Sequence, residues 1–204
     1  VLNALVSETS IPWIRMLYLY SAGITPKLLE SVAREARIVK YLDMPMQHGS
    51  DPVLARMRRP ERAATIRRTV ERVREAIPDI TIRTTCIVGF PGETDDDYQR
   101  LLDLLEEVQF DRVGAFTYSA QEGTRAAELV DDVPEAIKHE RLERLTELQR
   151  GITGERYARY VGMTVPAIVD RVTDGGLEAR LQCQADDIDG TTLVIGSAAP
   201  GTII

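Results

Sequence analysis

Four apolar segments, each followed by a polar or glycine-containing corner and then by an amphipathic helical segment, organise most of the sequence. The predicted strands cover residues 13–20, 39–45, 79–90 and 112–119. Strands that alternate with helices favour right-handed βαβ units around a parallel sheet or barrel. In such folds the ligand site lies at the carboxyl ends of the strands. The sequence therefore predicts an α/β fold whose binding groups lie in the corners MQHGSD, FPGET and SAQEGT.

Local signals mark where several helices begin. Thr25 and Pro26 are typical of an N-cap and a first helical residue. Further helices are predicted from Asp51 and from Arg62. Thr94 has an acidic residue three positions later, the spacing of a capping box. The helix that follows and a long charged helix over residues 134–160 each carry an apolar stripe; the stripes are Tyr98, Leu101, Leu102, Leu105 and Val108, and Leu142, Leu145, Leu148 and Ile152.

The sequence changes character near Tyr160. Residues 161–204 alternate short apolar segments with Gly and Asp-Gly turns, a pattern typical of a small β-barrel. We therefore predict two domains, residues 1–160 and residues 161–204. The chain starts with Val1 inside a predicted helix and stops at the strand-like GTII, so we expect a piece of a longer protein.

Charge and composition exclude several classes of protein. The formal net charge of −7 disfavours a protein that binds nucleic acid mainly through phosphates. The clustered arginines are predicted to be solvated helix faces; they are Arg56, Arg58, Arg59, Arg67 and Arg68. No apolar run approaches the roughly 20 residues of a membrane span, and the first residues do not resemble a signal peptide. Two distant cysteines suggest no disulfide framework, so we expect a cytoplasmic protein without a membrane partner.

The corners supply the candidate binding residues. Gln47 offers both hydrogen-bond donors and an acceptor, and His48 can bond or titrate. Gly89 permits close approach of a ligand, whereas Glu93 can accept from a ligand or simply favour the helix that it precedes. The alternatives are an ordinary capped turn for FPGET, a structural histidine for His48 and a polar loop for SAQEGT. No catalytic triad, phosphate-binding motif or metal-ligand cluster is found, so the catalytic residues stay unassigned. Cys86 is predicted to be a buried apolar residue.

A family resemblance rests on three segments in order: YLDMPMQHGSDPVLARMRR, TTCIVGFPGETDDDYQRLLDLLEEVQFDRVGAFTYSAQEGTRAA and DDIDGTTLVIG. They are similar to the radical S-adenosylmethionine (SAM) methylthiotransferases, and most similar to the RimO type, which modifies an aspartate of ribosomal protein S-12. The resemblance covers nearly the whole chain. It implies the later strands of a radical-SAM (β/α) TIM-like barrel, followed by a small all-β, OB-like TRAM domain truncated at its end.

The resemblance also implies a reaction and its cofactors. Members cleave SAM reductively to a 5′-deoxyadenosyl radical, which removes hydrogen from an unactivated carbon. Sulfur bearing a methyl group from a second SAM is then installed. The full-length enzymes carry two 4Fe-4S clusters and use an electron donor protein. Neither set of cluster cysteines is present in this sequence, so we expect the chain to be inactive alone.

From the strand-end motifs of the family, nine residues are expected to line the opening that binds SAM and the substrate, here called the mouth. They are Gln47, His48, Arg59, Arg83, Thr85, Gly89, Glu93, Tyr118 and Ser119. The two arginines are candidates for the carboxylate of SAM, because a guanidinium can pair with it through two hydrogen bonds. The general pattern Gly-x-Ile-x-Gly-x-x-Glu is kept only in part: Ile87 and Gly89 fit, Thr85 replaces the first glycine, and Glu93 is one residue late.

Two substrates and one non-catalytic role remain open. A sister family methylthiolates an adenosine in transfer RNA. Residues 151–204 contain four arginines and seven acidic residues, a net charge of −3, which repels phosphates and attracts a basic ribosomal protein. This favours S-12, bound through the acidic TRAM domain. A non-catalytic binding module would also fit the missing cysteines.

Overall fold

The computed structural model describes residues 1–204 and contains a four-stranded sheet. Its strands are β1 (Ile14–Met16), β2 (Ile38–Asp43), β3 (Thr81–Val88) and β4 (Arg112–Thr117), and they lie in sequence order. All three pairings are parallel. The predicted α/β class with a parallel sheet is therefore confirmed.

Six α-helices connect or flank the strands. They are α1 (Leu2–Glu8), α2 (Pro26–Arg34), α3 (Asp51–Arg56), α4 (Ala63–Ala76), α5 (Asp95–Val108) and α6 (Glu135–Ala158), with 3₁₀ turns at Ser21–Gly23 and Arg125–Glu128. The predicted caps are confirmed: the Thr25 side chain accepts a hydrogen bond from the amide of Leu28, and Thr94 and Asp97 form a reciprocal capping box. No helix combines the length and the apolar character needed to cross a membrane.

One face of the sheet packs against the helices in a core of 25 buried residues. The predicted stripe of α5 lies in this core, and so do Leu145 and Ile152 of α6. Alternate residues of β3, including Ile82 and Cys86, point into it, so the prediction that Cys86 is a buried apolar residue is confirmed. Because the helices cover one face of the sheet, a binding site can form only on the opposite face or at an edge of the sheet.

Strand β1 is shorter than predicted. The sequence suggests an extended segment to Tyr20, but the strand ends at Met16. Tyr18 has a left-handed backbone (φ 58°), and its amide donates to the carboxylate of Asp43 at 3.1 Å instead of to a strand carbonyl. A side chain thus replaces the backbone partner, and Tyr18 and Tyr20 are left exposed.

The last part of the chain forms a second, antiparallel sheet where the sequence predicts a small barrel. Its strands are β5 (Ala167–Thr173), β6 (Gly176–Leu181) and β7 (Thr192–Val194). Asp174 and Gly175 form the two-residue connection between β5 and β6, as expected for an Asp-Gly hairpin. An isolated antiparallel bridge also joins Ile168 to Ile203.

The segment 182–189, between β6 and β7, binds the face of the first sheet that the helices leave open. Asp189 is buried there; its Oδ2 accepts the Tyr41 hydroxyl at 2.6 Å and the amide of Ala185 at 2.8 Å. Nε of Arg83 lies 3.6 Å from Oδ1 of Asp189. Burial, and then the hydrogen bond to Asp189, raises the pKa of Tyr41. The Asp189 carboxylate therefore links this segment to the open face of the first sheet, together with the hydrogen bond from Arg15 to the Gln182 carbonyl at 2.9 Å.

We predict that Asp189→Ala lowers the free energy of unfolding by about 3 kcal/mol, because it leaves buried polar and charged groups without a partner. Urea unfolding followed by circular dichroism measures the change. Asp186→Ala is the matched control: this carboxylate lies in the same segment but is exposed and pairs with Arg180 at the surface. The control should lose less than about 1 kcal/mol, and equal losses would contradict the prediction.

Candidate functional site

The carboxyl ends of the parallel strands border a groove of about 1300 Å³. Strand-end residues, among them Gln47, Thr85 and Thr117, form its floor. Residues 55–59, at the end of α3, form one wall, and residues between 118 and 129 form the other. The groove lies at the edge where the sequence places the binding site.

Backbone pairing continues past the ends of the strands and fixes the floor. The amide of Gln47 donates to the Thr85 carbonyl at 2.8 Å, and the amide of Ile87 returns a bond to the Gln47 carbonyl at 2.9 Å. The amide of Tyr118 donates to the Val88 carbonyl at 2.8 Å. Gln47 accommodates this pairing with a left-handed backbone (φ 72°). Residues from three corners are therefore held side by side.

An aromatic pair joins the second wall to the β3 corner. The rings of Phe90 and Tyr118 meet edge to face, with centroids 5.1 Å apart. The Tyr118 hydroxyl donates to the Ala126 carbonyl at 2.9 Å. Ser119 follows and also lines the groove. The hydrogen bond from Tyr118 to Ala126 thus fixes the middle of the long polar loop after β4 beside the groove.

The structure brings together five of the nine residues predicted for the mouth: Gln47, Arg59, Thr85, Tyr118 and Ser119. It does not bring His48, Arg83, Gly89 or Glu93 to the groove lining. In each of these four cases a contact elsewhere in the fold occupies the residue.

Glu93 lies in a buried polar cluster and not in the groove. Its Oε2 accepts the amide of Gly89 at 2.8 Å, and its Oε1 accepts Nη1 of Arg141, from α6, at 2.8 Å. Nε2 of the fully buried His48 lies 3.3 Å from Oε2, while Nδ1 accepts the amide of Ser50 at 2.9 Å. Because Nδ1 is an acceptor, the ring proton is on Nε2 and faces Glu93. Glu93 and His48 therefore join the β2 and β3 corners to α6.

Gly89 faces α6. Its backbone is left-handed (φ 72°), and a Cβ built on it would lie 2.3 Å from Cγ of Lys138. Lys138 is itself buried; its Nζ lies 2.6 Å from Asp131 and 2.7 Å from Glu135. Burial alone would lower the pKa of Lys138, but the two carboxylates outweigh it and the pKa is raised. The packing of α6 against this corner thus requires a glycine at position 89.

Arg83 is paired with carboxylates from both sheets. Its Nη1 donates to Asp43 at 3.0 Å, and its Nε lies 3.6 Å from Asp189. These contacts hold Arg83 between the two carboxylates and outside the groove lining. A weak contact of 3.4 Å to the Thr85 hydroxyl is its only link to the groove floor.

Arg56 and Arg58 are exposed, as predicted, and Arg59 is partly buried; all three also line the groove, which the sequence did not indicate for Arg56 and Arg58. Of the groove arginines only Arg56 is paired with a carboxylate, Asp97 at 3.6 Å. By contrast, Arg67 keeps to a helix surface and pairs with Glu107 at 2.7 Å.

Sequence reasoning missed several lining residues, among them Arg125, Phe90 and Phe116. Strand alternation was the available signal for Phe116, because its neighbour Ala115 packs against the core and a strand residue next to it must face the other way. Phe116 is 57% exposed and faces the groove. No local pattern places Arg125, which depends on the path of the loop.

The sequence model of the family described as the Radical SAM superfamily matches residues 2–105, just over half of the chain. This chain belongs to the radical SAM superfamily. Two similar proteins carry the name "Ribosomal protein uS12 methylthiotransferase RimO". The one from Geobacter sulfurreducens is 43% identical over 100% of this chain and 46% of its own length. The one from Synechococcus sp. (strain JA-2-3B'a(2-13)) is 42% identical over 98% of this chain and 42% of its own length.

The radical SAM chain thus spans less than half the length of these curated relatives. Among solved structures, coproporphyrinogen III oxidase (HemN) from Escherichia coli matches with a TM-score of 0.54 and 18% sequence identity. The match covers 74% of this chain and 34% of HemN. At this identity the likeness concerns the fold alone.

Radical SAM proteins use SAM and an iron–sulfur cluster, and the residues of this chain do not fit the cluster. No group of three or more His, Cys, Asp or Glu side chains could hold a metal. Cys86 and Cys183 are both buried and unbonded to each other. Burial raises the pKa of Cys86, which disfavours the thiolate that a cluster needs.

The steric role of Gly89 can be separated from its backbone strain. Gly89→Ala should lower the free energy of unfolding by about 1–2 kcal/mol for the left-handed backbone and by about 1–3 kcal/mol more for the clash with Lys138. Gly123→Ala is the control, because Gly123 is also left-handed (φ 79°) but a Cβ there meets nothing within 4 Å. Chemical unfolding of both variants measures the difference, and equal losses would refute the packing role.

The buried carboxylate of Asp97, in the first turn of α5, makes the free energy of unfolding depend on pH in the acidic range. Burial raises its pKa, but hydrogen bonds from Ser50 and Thr94 and the charge of Arg56 outweigh burial and hold the pKa below the ordinary 3.8. A carboxylate whose pKa is lower in the folded state than in the unfolded state stabilises the fold at pH values above the unfolded-state pKa. This stabilisation is lost as the pH falls through the folded-state pKa.

We therefore predict a smaller loss of stability on acidification for Asp97→Asn than for the unsubstituted protein. Urea midpoints measured between about pH 6 and pH 3 test this. Asp96→Asn, an exposed position in the same turn, should keep the original pH dependence. Parallel pH profiles for all three proteins would show that Asp97 does not contribute.

Proposed function

We propose that this chain is part of a methylthiotransferase that replaces a hydrogen on the β-carbon of an aspartate in ribosomal protein S-12 by a methylthio group. The observation that carries the proposal is similarity to proteins named for this activity: the eight relatives compared are 40–43% identical and align with 91–100% of the chain. The sulfur, the cluster ligands and the electron donor protein lie outside the residues of this chain.

The groove is proposed to hold SAM. Arg59 has no carboxylate partner and is partly buried, as suits a group that pairs with the methionyl carboxylate. Gln47 and Thr85 offer polar atoms on the floor, and the exposed ring of Phe116 offers an apolar surface for a nucleoside. When bound, SAM supplies the methyl group and, on accepting one electron, the group that removes the substrate hydrogen. The residues of this chain bind and orient it.

Residues 161–204 are proposed to be a TRAM domain that contacts S-12. Acidic side chains surround a small surface cleft next to β5 and β6; they are Asp170, Glu178, Asp186 and Asp187. Arg171 and Arg180 line the same cleft and pair with Glu178, Asp170 and Asp186. The net charge of −3 over residues 151–204 favours a basic protein and disfavours RNA.

The reaction is tested with the complete protein that contains this chain, after anaerobic reconstitution with iron and sulfide. It is incubated with SAM, a reductant and either S-12 or transfer RNA, and mass spectrometry locates any methylthio group. We expect modification of one aspartate of S-12 and none of the RNA. Modification of an adenosine with S-12 unchanged would select the alternative substrate, and no modification of either would support a non-catalytic module.

The cofactor site is tested by Arg59→Met, which removes the guanidinium but keeps an apolar side chain. Loss of a charged hydrogen-bonding partner should weaken SAM binding about tenfold or more, measured by calorimetry on the complete protein. Arg68→Met is the control, because Arg68 is exposed on α4 and does not line the groove. Unchanged SAM affinity in Arg59→Met would remove Arg59 from the site.

A further inference from the structure

The groove is positively charged in a negatively charged protein. Its lining contains four arginines and one carboxylate, that of Glu128, although the whole chain carries a net charge of −7. SAM explains only part of this charge. The cofactor has one carboxylate, and its ammonium and sulfonium groups make it a net cation. A site for SAM alone therefore needs one guanidinium, not an excess of positive charge.

The four arginines do not have equivalent surroundings. Arg56 is occupied by the Gly92 carbonyl at 2.7 Å and by Asp97 at 3.6 Å. Arg59 is partly buried, and its guanidinium carbon lies 5.7 Å from the centre of the Tyr20 ring. Both belong to the wall at the end of α3. Arg58, on that same wall, and Arg125, on the other wall, are both exposed, and neither forms an ion pair.

The wall that carries Arg125 suits a macromolecule. Residues 120–125 and 127–130 are exposed, including the apolar Leu129 (42%) and Val130 (83%). The Arg125 backbone is nevertheless positioned, because Arg125 starts a 3₁₀ turn capped by Thr124. The next residue, Ala126, is held by the hydroxyl of Tyr118. An exposed, unpaired cation on a positioned backbone, beside exposed apolar side chains, is a surface for a protein segment that carries an acidic side chain.

We propose that Arg125 selects the substrate by pairing with the carboxylate of the aspartate to be modified. This inference rests on the proposed function, because that function makes an aspartate side chain the group that enters the groove. A guanidinium binds a carboxylate through two parallel hydrogen bonds and cannot do so with an amide. The pairing would distinguish aspartate from asparagine and hold the carboxylate, and hence the adjacent β-carbon, in the groove.

The test is a binding cycle on the complete, reconstituted protein loaded with SAM. The dissociation constants of S-12 and of S-12 carrying asparagine at the modified position are measured for the unsubstituted protein and for Arg125→Gln. We expect Arg125→Gln to weaken binding of the aspartate form about tenfold and to change binding of the asparagine form less than about twofold. Arg125→Lys, which keeps the charge without the planar pair of donors, should fall between.

Two controls make the outcomes distinct. The affinity for SAM should be unchanged in Arg125→Gln, which would show that the groove is intact. Arg150→Gln, on the exposed face of α6, should leave the dissociation constants of both forms of S-12 unchanged. The assignment to Arg125 would be overturned if Arg125→Gln weakened binding of the aspartate and asparagine forms of S-12 equally. It would also be overturned if Arg58→Gln, and not Arg125→Gln, selectively weakened binding of the aspartate form. Either result would leave the proposed function in place. Failure of the unsubstituted protein to bind S-12 at all would overturn both.

Discussion

The buried carboxylate of Glu93 is the interaction on which the shape of the site depends. Removing a carboxylate from water is costly unless hydrogen bonds and an opposite charge replace the lost hydration. Here backbone amides of the β3 corner donate to Oε2 and the guanidinium of Arg141 donates to Oε1, while the ring of His48 faces Oε2. Each partner comes from a different segment. The corners that border the groove are consequently held against α6 before any ligand binds.

A second buried carboxylate links the two sheets. Asp189, from the segment between β6 and β7, contacts Tyr41 and Arg83 on the open face of the parallel sheet. Arg83 in turn reaches Thr85 on the groove floor. The two parts of the chain therefore share a polar network that passes beneath the site. An acidic module that recruits a basic partner would, in this arrangement, be held at a defined position relative to the groove.

Charge is distributed to suit two tasks. The surface is acidic overall, and so is the second sheet, which favours encounter with a basic protein. The groove has the opposite sign, because its guanidiniums come from the end of α3 and from the loop after β4. A basic protein that presents one acidic side chain meets complementary charge at both places. This combination accounts for a cationic groove in an acidic chain better than the cofactor alone does.

Much of the fold was predictable from local patterns: the parallel βαβ order, the caps at Thr25 and Thr94, and the stripes of α5 and α6 depend on residues close in sequence. The strand ends also indicated Gln47, Thr85 and Tyr118, because parallel strands bring their carboxyl ends to one edge. Local patterns did not show that Glu93 and His48 turn inward, that Arg83 pairs across two sheets, or that Arg125 reaches the groove. Glu93 turns inward toward Arg141, 48 residues away, and Arg83 pairs with Asp43, 40 residues away. Arg125 reaches the groove through the path of the loop after β4. Only the folded chain decides which of several possible partners a charged side chain meets.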